Sequence, residues 1–156
     1  MRQLISTVTS LVGSTVTVAG FVHSIRNQGK IAFIRLRDVS GSIQVVTGAW
    51  NQEVFASISN LSVESVIEVD GLVKESKQTA EGVEIDASKI TIHSLALPLP
   101  IPVVSEKGAE EVDVTKRFDY RWLDLRKPQA QKIFQVWTVL EQGVREYFTA
   151  DRKSVV

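Results

Sequence analysis

Three segments of this chain carry side chains that, brought together, can hold an unpaired nucleic-acid base. In KIAFIRLRD (residues 30–38) a period of two puts Ala32, Ile34 and Leu36 on one side and Ile31, Phe33, Arg35 and Arg37 on the other. The first side is a core face. The second offers an aromatic ring beside two guanidinium groups. An accessible ring stacks on a base for about 1–3 kcal/mol, whatever the base, and arginines beside it can meet phosphates or lie on a second base plane. In SIQVVTG (42–48), Gln44 points away from Ile43 and Val45. Its amide holds donors and an acceptor in one plane, which suits the Watson–Crick edge of a splayed base. An amide that can flip does not separate uracil from cytosine, but a carboxylate at Glu84 would, because it only accepts: it suits the N3–H of uracil and repels the N3 lone pair of cytosine. Plainer roles fit the same residues. Phe33 can lie under a loop with its arginines reaching water along their stems, and Glu84 can be a solvated strand residue.

The elements that must position these groups are legible from periodicity. STVTVAGFVHSIR (14–26) alternates β-branched residues and predicts a first strand, with Asn27-Gln28-Gly29 as the turn into the second. Val39-Ser40-Gly41-Ser42 closes a hairpin onto the third strand. In NQEVFASISNL (51–61), Val54, Phe55, Ile58 and Leu61 fall at helical spacing. Alternation returns in SVIEVDGLVKES (65–76) and GVEIDASKITIHSL (82–95). Three strands, a short helix and two strands describe a mainly β, five-stranded OB-fold barrel, whose second and third strands bind oligonucleotides. A weak helix pattern covers residues 2–12.

The character changes near residue 97. LPLPIPV (97–103) holds three of the four prolines and predicts an extended connector. SEKGAEEVDVTK (105–116) reads as a charged surface loop. From Pro128 a helix is expected, with Ile133, Val136, Trp137, Leu140, Val144, Tyr147 and Phe148 in one apolar stripe. The predicted organisation is thus an OB domain over 1–96, a hinge over 97–127, and a long helix within 128–156. A stripe of that size needs a partner, so we expect the chain to be part of a longer protein.

Composition limits the alternatives. With 44% hydrophobic and 23% charged residues the chain reads as globular, and no apolar run suggests a membrane span. The N-terminus lacks a secretory h-region, and there are no cysteines, so a cytoplasmic protein is expected. Zero net charge argues against whole-surface binding of polyanions. The bases nonetheless gather early, at Arg2, Arg26, Lys30, Arg35 and Arg37, which permits one local basic face. His23 and His93 stand at no metal-ligand spacing.

The stretch VTVAGFVHSIRNQGKIAFIRLRDVSGSIQVV (16–46) resembles the anticodon-binding OB domain of class IIb aminoacyl-tRNA synthetases, the aspartyl, asparaginyl and lysyl enzymes. RFDYRWLDLRKPQAQKIFQVWTVLEQGVREYF (117–148) is most similar to the aspartyl members, in which RWLDLR followed by Lys-Pro leads into the catalytic domain and its motif 1 helix. The resemblance implies that Phe33 stacks on an anticodon base, Gln44 hydrogen-bonds the central uridine and Glu84 helps to read it. Arg26, expected in the turn after the first strand, matches a basic position near the anticodon stem-loop; Arg35 and His23 are counted with the RNA-binding set. His23 lies where some relatives carry Trp, a choice connected with strictness for aspartate over asparagine tRNA, though a half-exposed strand histidine is the simpler reading. Trp122, Leu123 and Leu125 would pack the hinge, and Arg37 and Asp38 would brace the hairpin.

Motifs 2 and 3 of the family are absent from the sequence, so no catalytic residue is assigned and the chain alone is expected to be inactive. ATP and Mg²⁺ are implied as cofactors of the full-length parent only. So is a homodimer formed partly through the 129–149 helix. The expected partner of the chain is the anticodon stem-loop of a tRNA, and no membrane is implied. The rival readings are an asparaginyl or lysyl relative, a general single-strand-binding OB module, and an interaction protein working through its long helix.

Overall fold

The period-two patterns of the first half fold as strands almost residue for residue. The computed structural model describes residues 2–104 and 112–151. Up to residue 94 its elements are β1 (Arg2–Gln3), α1 (Ile5–Val8), β2 (Thr15–Gln28), β3 (Ile31–Arg37), β4 (Ser42–Gly48), α2 (Gln52–Ile58), β5 (Val66–Glu75) and β6 (Val83–Ser94). β2 pairs antiparallel with β3 and β3 with β4; β4 runs parallel to β6, β6 pairs antiparallel with β5, and β5 returns to β2. The five predicted strands therefore form a ladder that closes on itself. A sixth, β1, lies parallel to β2. It occupies part of the stretch where a helix over 2–12 was expected, and only Ile5–Val8 is helical there.

The ring closes because β2 serves two neighbours. Residues Thr15–Phe21 pair with β5 and Phe21–Gln28 with β3, so the strand turns a corner at Gly20-Phe21. A side chain on Gly20 would run into the carbonyl of Arg37 across that corner. Glycine at a tight bend removes the obstruction. Inward residues fill the enclosed space: Ile34, Leu36, Val45, Ile67, Val69 and Ile85 are fully buried. Burying such side chains is worth roughly 1.5–3 kcal/mol each.

Arg26 lies within β2, not in a turn, because the connection to β3 is only Gly29-Lys30. Gly29 takes a φ of +64° at the first central position of this two-residue link, a conformation glycine adopts without steric cost. The β3–β4 hairpin is held by Asp38, as predicted. Its carboxylate accepts hydrogen bonds from the amides of Ser40 (2.7 Å), Gly41 (3.0 Å) and Ile5 (2.9 Å) and from the Ser40 hydroxyl (2.7 Å). Burial alone would raise this carboxyl's pKa, but the amide of Ile5 and the bonds from Ser40 and Gly41 outweigh it and hold it below the ordinary value. Arg37 does not share this task. It reaches across to the buried carboxylate of Glu64, at 2.7 and 3.0 Å.

The chain divides into two compact units, Met1–Pro98 and Leu99–Val156. In the second, α3 (Val114–Asp119), α4 (Arg121–Asp124) and α5 (Pro128–Ala150) follow one another. The predicted charged loop lies outside the described residues over 105–111, and its end is helical from Val114, where Asp113 caps α3 by accepting from the amides of Thr115 and Lys116. Ile101, Val103 and Leu123 form a small core, whereas Trp122 is exposed. Beside Leu123 the fully buried Asp124 is held by Arg117, Arg121 and Lys127, at 3.1, 3.1 and 3.3 Å. Burial pushes its carboxyl up, yet Arg117 and then Lys127 leave it below the usual range. The apolar stripe of α5 is present as predicted, and Val136, Trp137, Leu140 and Tyr147 are all well exposed.

Candidate nucleic-acid interface

Register decides which side chains meet. Residues directly across a ladder share a face, so the pairs Arg26↔Phe33, Phe33↔Val46, Arg35↔Gln44 and Gln44↔Glu84 place β2, β3, β4 and β6 side by side on the outside of the closed sheet. On that face the Arg26 guanidinium lies 5.8 Å from the centroid of the Phe33 ring, within reach of a cation–π attraction. Arg26 Nη2 donates to Gln44 Oε1 at 3.4 Å, and Gln44 Nε2 donates to Glu84 Oε2 at 3.0 Å. Ring, amide and carboxylate thus belong to one connected cluster, joined through Arg26.

The cluster also fixes the amide. Arginine can only donate and a carboxylate can only accept. Between them Gln44 must turn its oxygen to Arg26 and its nitrogen to Glu84. Gln44 is 8% exposed, so the carbonyl keeps one lone pair and the amine one hydrogen on a side chain with little freedom to turn over. A donor–acceptor pair of set order complements the O4 and N3–H of uracil and mismatches the N4 amine and N3 lone pair of cytosine. The sequence left this polarity open. The partner that removes the ambiguity is as much Arg26 as Glu84.

Two predicted members stay outside the cluster. Arg35 is engaged by Glu81 through both terminal nitrogens and donates to Ser42 Oγ at 3.1 Å. The Glu81 carboxyl, which burial would raise, is brought below its ordinary value by Arg35. His23 is the extra residue where the β2–β3 register slips between Val22 and Ser24. It is half-buried, and its Nδ1 is enclosed without a hydrogen-bond partner. Burial first, then the positive charge of Arg37 and Arg35, lowers its pKa against the pull of Glu64, which keeps the ring neutral at neutral pH. Among the described residues no carboxylate pairs with Arg26, which leaves it the cation of the cluster best placed for a phosphate or a base plane.

Sequence reasoning missed Glu81 and Trp50. Glu81 is 46 residues from Arg35, and no periodicity announces a loop residue folding onto a strand. Trp50 is 62% exposed just beyond β4, and a glycine at Gly48, an outward position of that strand, was the available signal.

Residues 16–92 match the family described as an OB-fold nucleic acid binding domain. Over 143 residues the chain is 38% identical to an aspartate–tRNA ligase of Stenotrophomonas maltophilia strain K279a, a match covering 88% of this chain and 24% of that protein. It is 34% identical over 151 residues to the aspartate–tRNA(Asp/Asn) ligase of Aeropyrum pernix, covering 95% of this chain and 33% of that one. Among solved structures it resembles asparaginyl-tRNA synthetase from Pyrococcus horikoshii complexed with asparaginyl-adenylate, at 30% identity and a TM-score of 0.79, over 92% of this chain and 32% of that one. The chain therefore spans about a quarter to a third of the length of these relatives. By their closed sheet and these matches, residues 16–92 belong to the OB-fold nucleic-acid-binding family, in the form found among aspartate–tRNA ligases.

Proposed function

We propose that the Met1–Pro98 unit binds the anticodon loop of a tRNA and reads its central uridine. Phe33 stacks on the splayed base, the Gln44 amide pairs with its O4 and N3–H, and Glu84 and Arg26 hold that amide in the reading orientation. Arg26 also supplies positive charge for the neighbouring phosphate. What supports this most is the clamped amide beside a half-buried ring on the same outer face, an arrangement a solvated strand surface has no need of. In the whole ligase, working in the cytoplasm, the bound tRNA would be charged with aspartate activated by ATP and Mg²⁺. No described residue of this chain is assigned to those cofactors or to catalysis. The α5 stripe would be covered by the catalytic domain and a second subunit. No helix among the described residues is long and apolar enough to cross a membrane.

Asparagine identity is the second reading, favoured by the similarity to the Pyrococcus enzyme. It leaves the roles of Phe33, Gln44 and Glu84 unchanged.

Titration of stem-loops that differ only at the central base tests the reading. The wild-type chain should prefer uridine over cytidine by on the order of tenfold, the scale of a mismatched, desolvated hydrogen-bond pair. Gln44→Ala should weaken uridine binding and abolish most of that preference. Equal losses for the two RNAs would show that the amide does not read the base.

A further inference from the structure

The outward row that carries Phe33 continues past it to a second aromatic. Alternation along β4 turns Gln44, Val46 and Gly48 to the open face, and Gly48 lies directly across from Ile31. A Cβ on Gly48 would meet the Trp50 indole, with Cε3 and Cη2 at 2.6 Å. The ring thus covers the space that a side chain at position 48 would fill, and Gly48 is buried beneath it although β4 turns it outward. Trp50 itself remains 62% exposed. Phe33 pairs with Val46, so Gly48 is its diagonal neighbour, roughly 7–8 Å away. Ile31 and Val46, both half-buried, lie between the two aromatic positions.

Trp50 is held firmly for an exposed residue. The Asn51 amide donates to the Gly48 carbonyl at 2.9 Å and the Ala49 amide to the Lys30 carbonyl at 2.9 Å. Asn51 also donates to the Ser88 carbonyl at 3.0 Å and caps α2 through the Val54 amide. The backbone is pinned on both sides of the indole. A large, pre-positioned ring loses little freedom when a ligand settles on it.

On the reading that Phe33 holds the central base, we infer that Trp50 is a second stacking platform, for the base of one nucleotide adjoining it in the same single-stranded loop. The occupant is an unpaired base of either class, because the indole offers a face and no hydrogen-bond pattern to the ring that lies on it. The two platforms would hold two bases splayed along β3 and β4, one read by the Gln44 amide and the other retained without being read.

The test is anisotropy titration of the full chain with a stem-loop carrying a central uridine, and with versions made abasic at either flanking position. Trp50→Ala should weaken binding about tenfold, and Trp50→Phe, which keeps a stacking face, should recover most of it. In the wild type one flanking abasic site should cause a similar loss, and in Trp50→Ala that site should cause no further loss. Unchanged affinity in Trp50→Ala, or abasic losses that simply add to it at both positions, would overturn the inference. Phe33→Ala serves as the separate control. If it loses affinity while Trp50→Ala does not, only the second platform falls; if Phe33→Ala is also silent, the reading of the whole face falls.

Discussion

Replacing Phe33 with alanine should weaken binding of the anticodon stem-loop by about 1–3 kcal/mol, a factor of roughly 5 to 150 in Kd. The ring lies on the outer face of β3, opposite the buried side of Ala32, Ile34 and Leu36. Its removal opens no cavity in the core, and thermal stability should change little. Inside the protein it forfeits the contacts of a half-buried surface ring, among them the Arg26 guanidinium, a cation–π contact worth about 0.5–1 kcal/mol near the surface. Most of the loss therefore appears in the complex. Phe33→Leu separates stacking from mere apolarity, since leucine keeps much of the area without the flat face; it should fall between wild type and alanine. A Kd indifferent to all three side chains would remove position 33 from the binding site.

The second large effect is on folding. Gly20→Ala should destabilise the Met1–Pro98 unit by about 3 kcal/mol, the upper end of what overpacking a close contact costs. The added Cβ would collide with the carbonyl oxygen of Arg37 and stand 2.9 Å from its carbon and 3.4 Å from the amide nitrogen of Asp38. Backbone cannot rotate aside as a flexible side chain does. Relief would have to come from separating β2 from β3 at Phe21↔Arg37, the pairing that begins their ladder. The corner by which β2 leaves β5 for β3 would open. Urea unfolding followed by circular dichroism should show a lower midpoint with little change in slope. An unchanged midpoint would mean that the corner yields more easily than its geometry implies.

How much of this was legible in the sequence depends on the range of the interaction. Strand alternation in β3 and β4, the hairpin chemistry of Asp38, Ser40 and Gly41, and the helical spacing of Val54 and Ile58 are local, and all appear where periodicity placed them. The face shared by Phe33 and Gln44 was legible for the same reason: β3 to β4 is a tight hairpin, and parity decides which side chains point outward, whereas the place of Glu84 beside them, 40 residues from Gln44, was implied by the resemblance. Arg26 was assigned to the turn because Asn27-Gln28-Gly29 looks like one; the two-residue link at Gly29-Lys30 lets the strand run further. The pairings of Arg35 with Glu81 and of Arg37 with Glu64 were not legible, since each joins charges far apart in sequence. Nor was the orientation of the Gln44 amide. It needs partners from β2 and β6 at once, and only the closed sheet brings those strands to either side of β4's neighbourhood. The helical end of the charged segment at Val114–Asp119 was missed because its stability rests on a cap at Asp113 and on the Arg117–Asp124 contact, neither of which leaves an apolar period.

Backbone amide shift mapping during titration with a uridine-centred stem-loop tests the claim of an RNA-reading outer face most directly. The perturbed amides should concentrate at residues 24–28, 31–35, 44–46 and 84–86, which neighbour one another only on the closed sheet. Saturable binding with its perturbations elsewhere, and these amides unmoved, would contradict it.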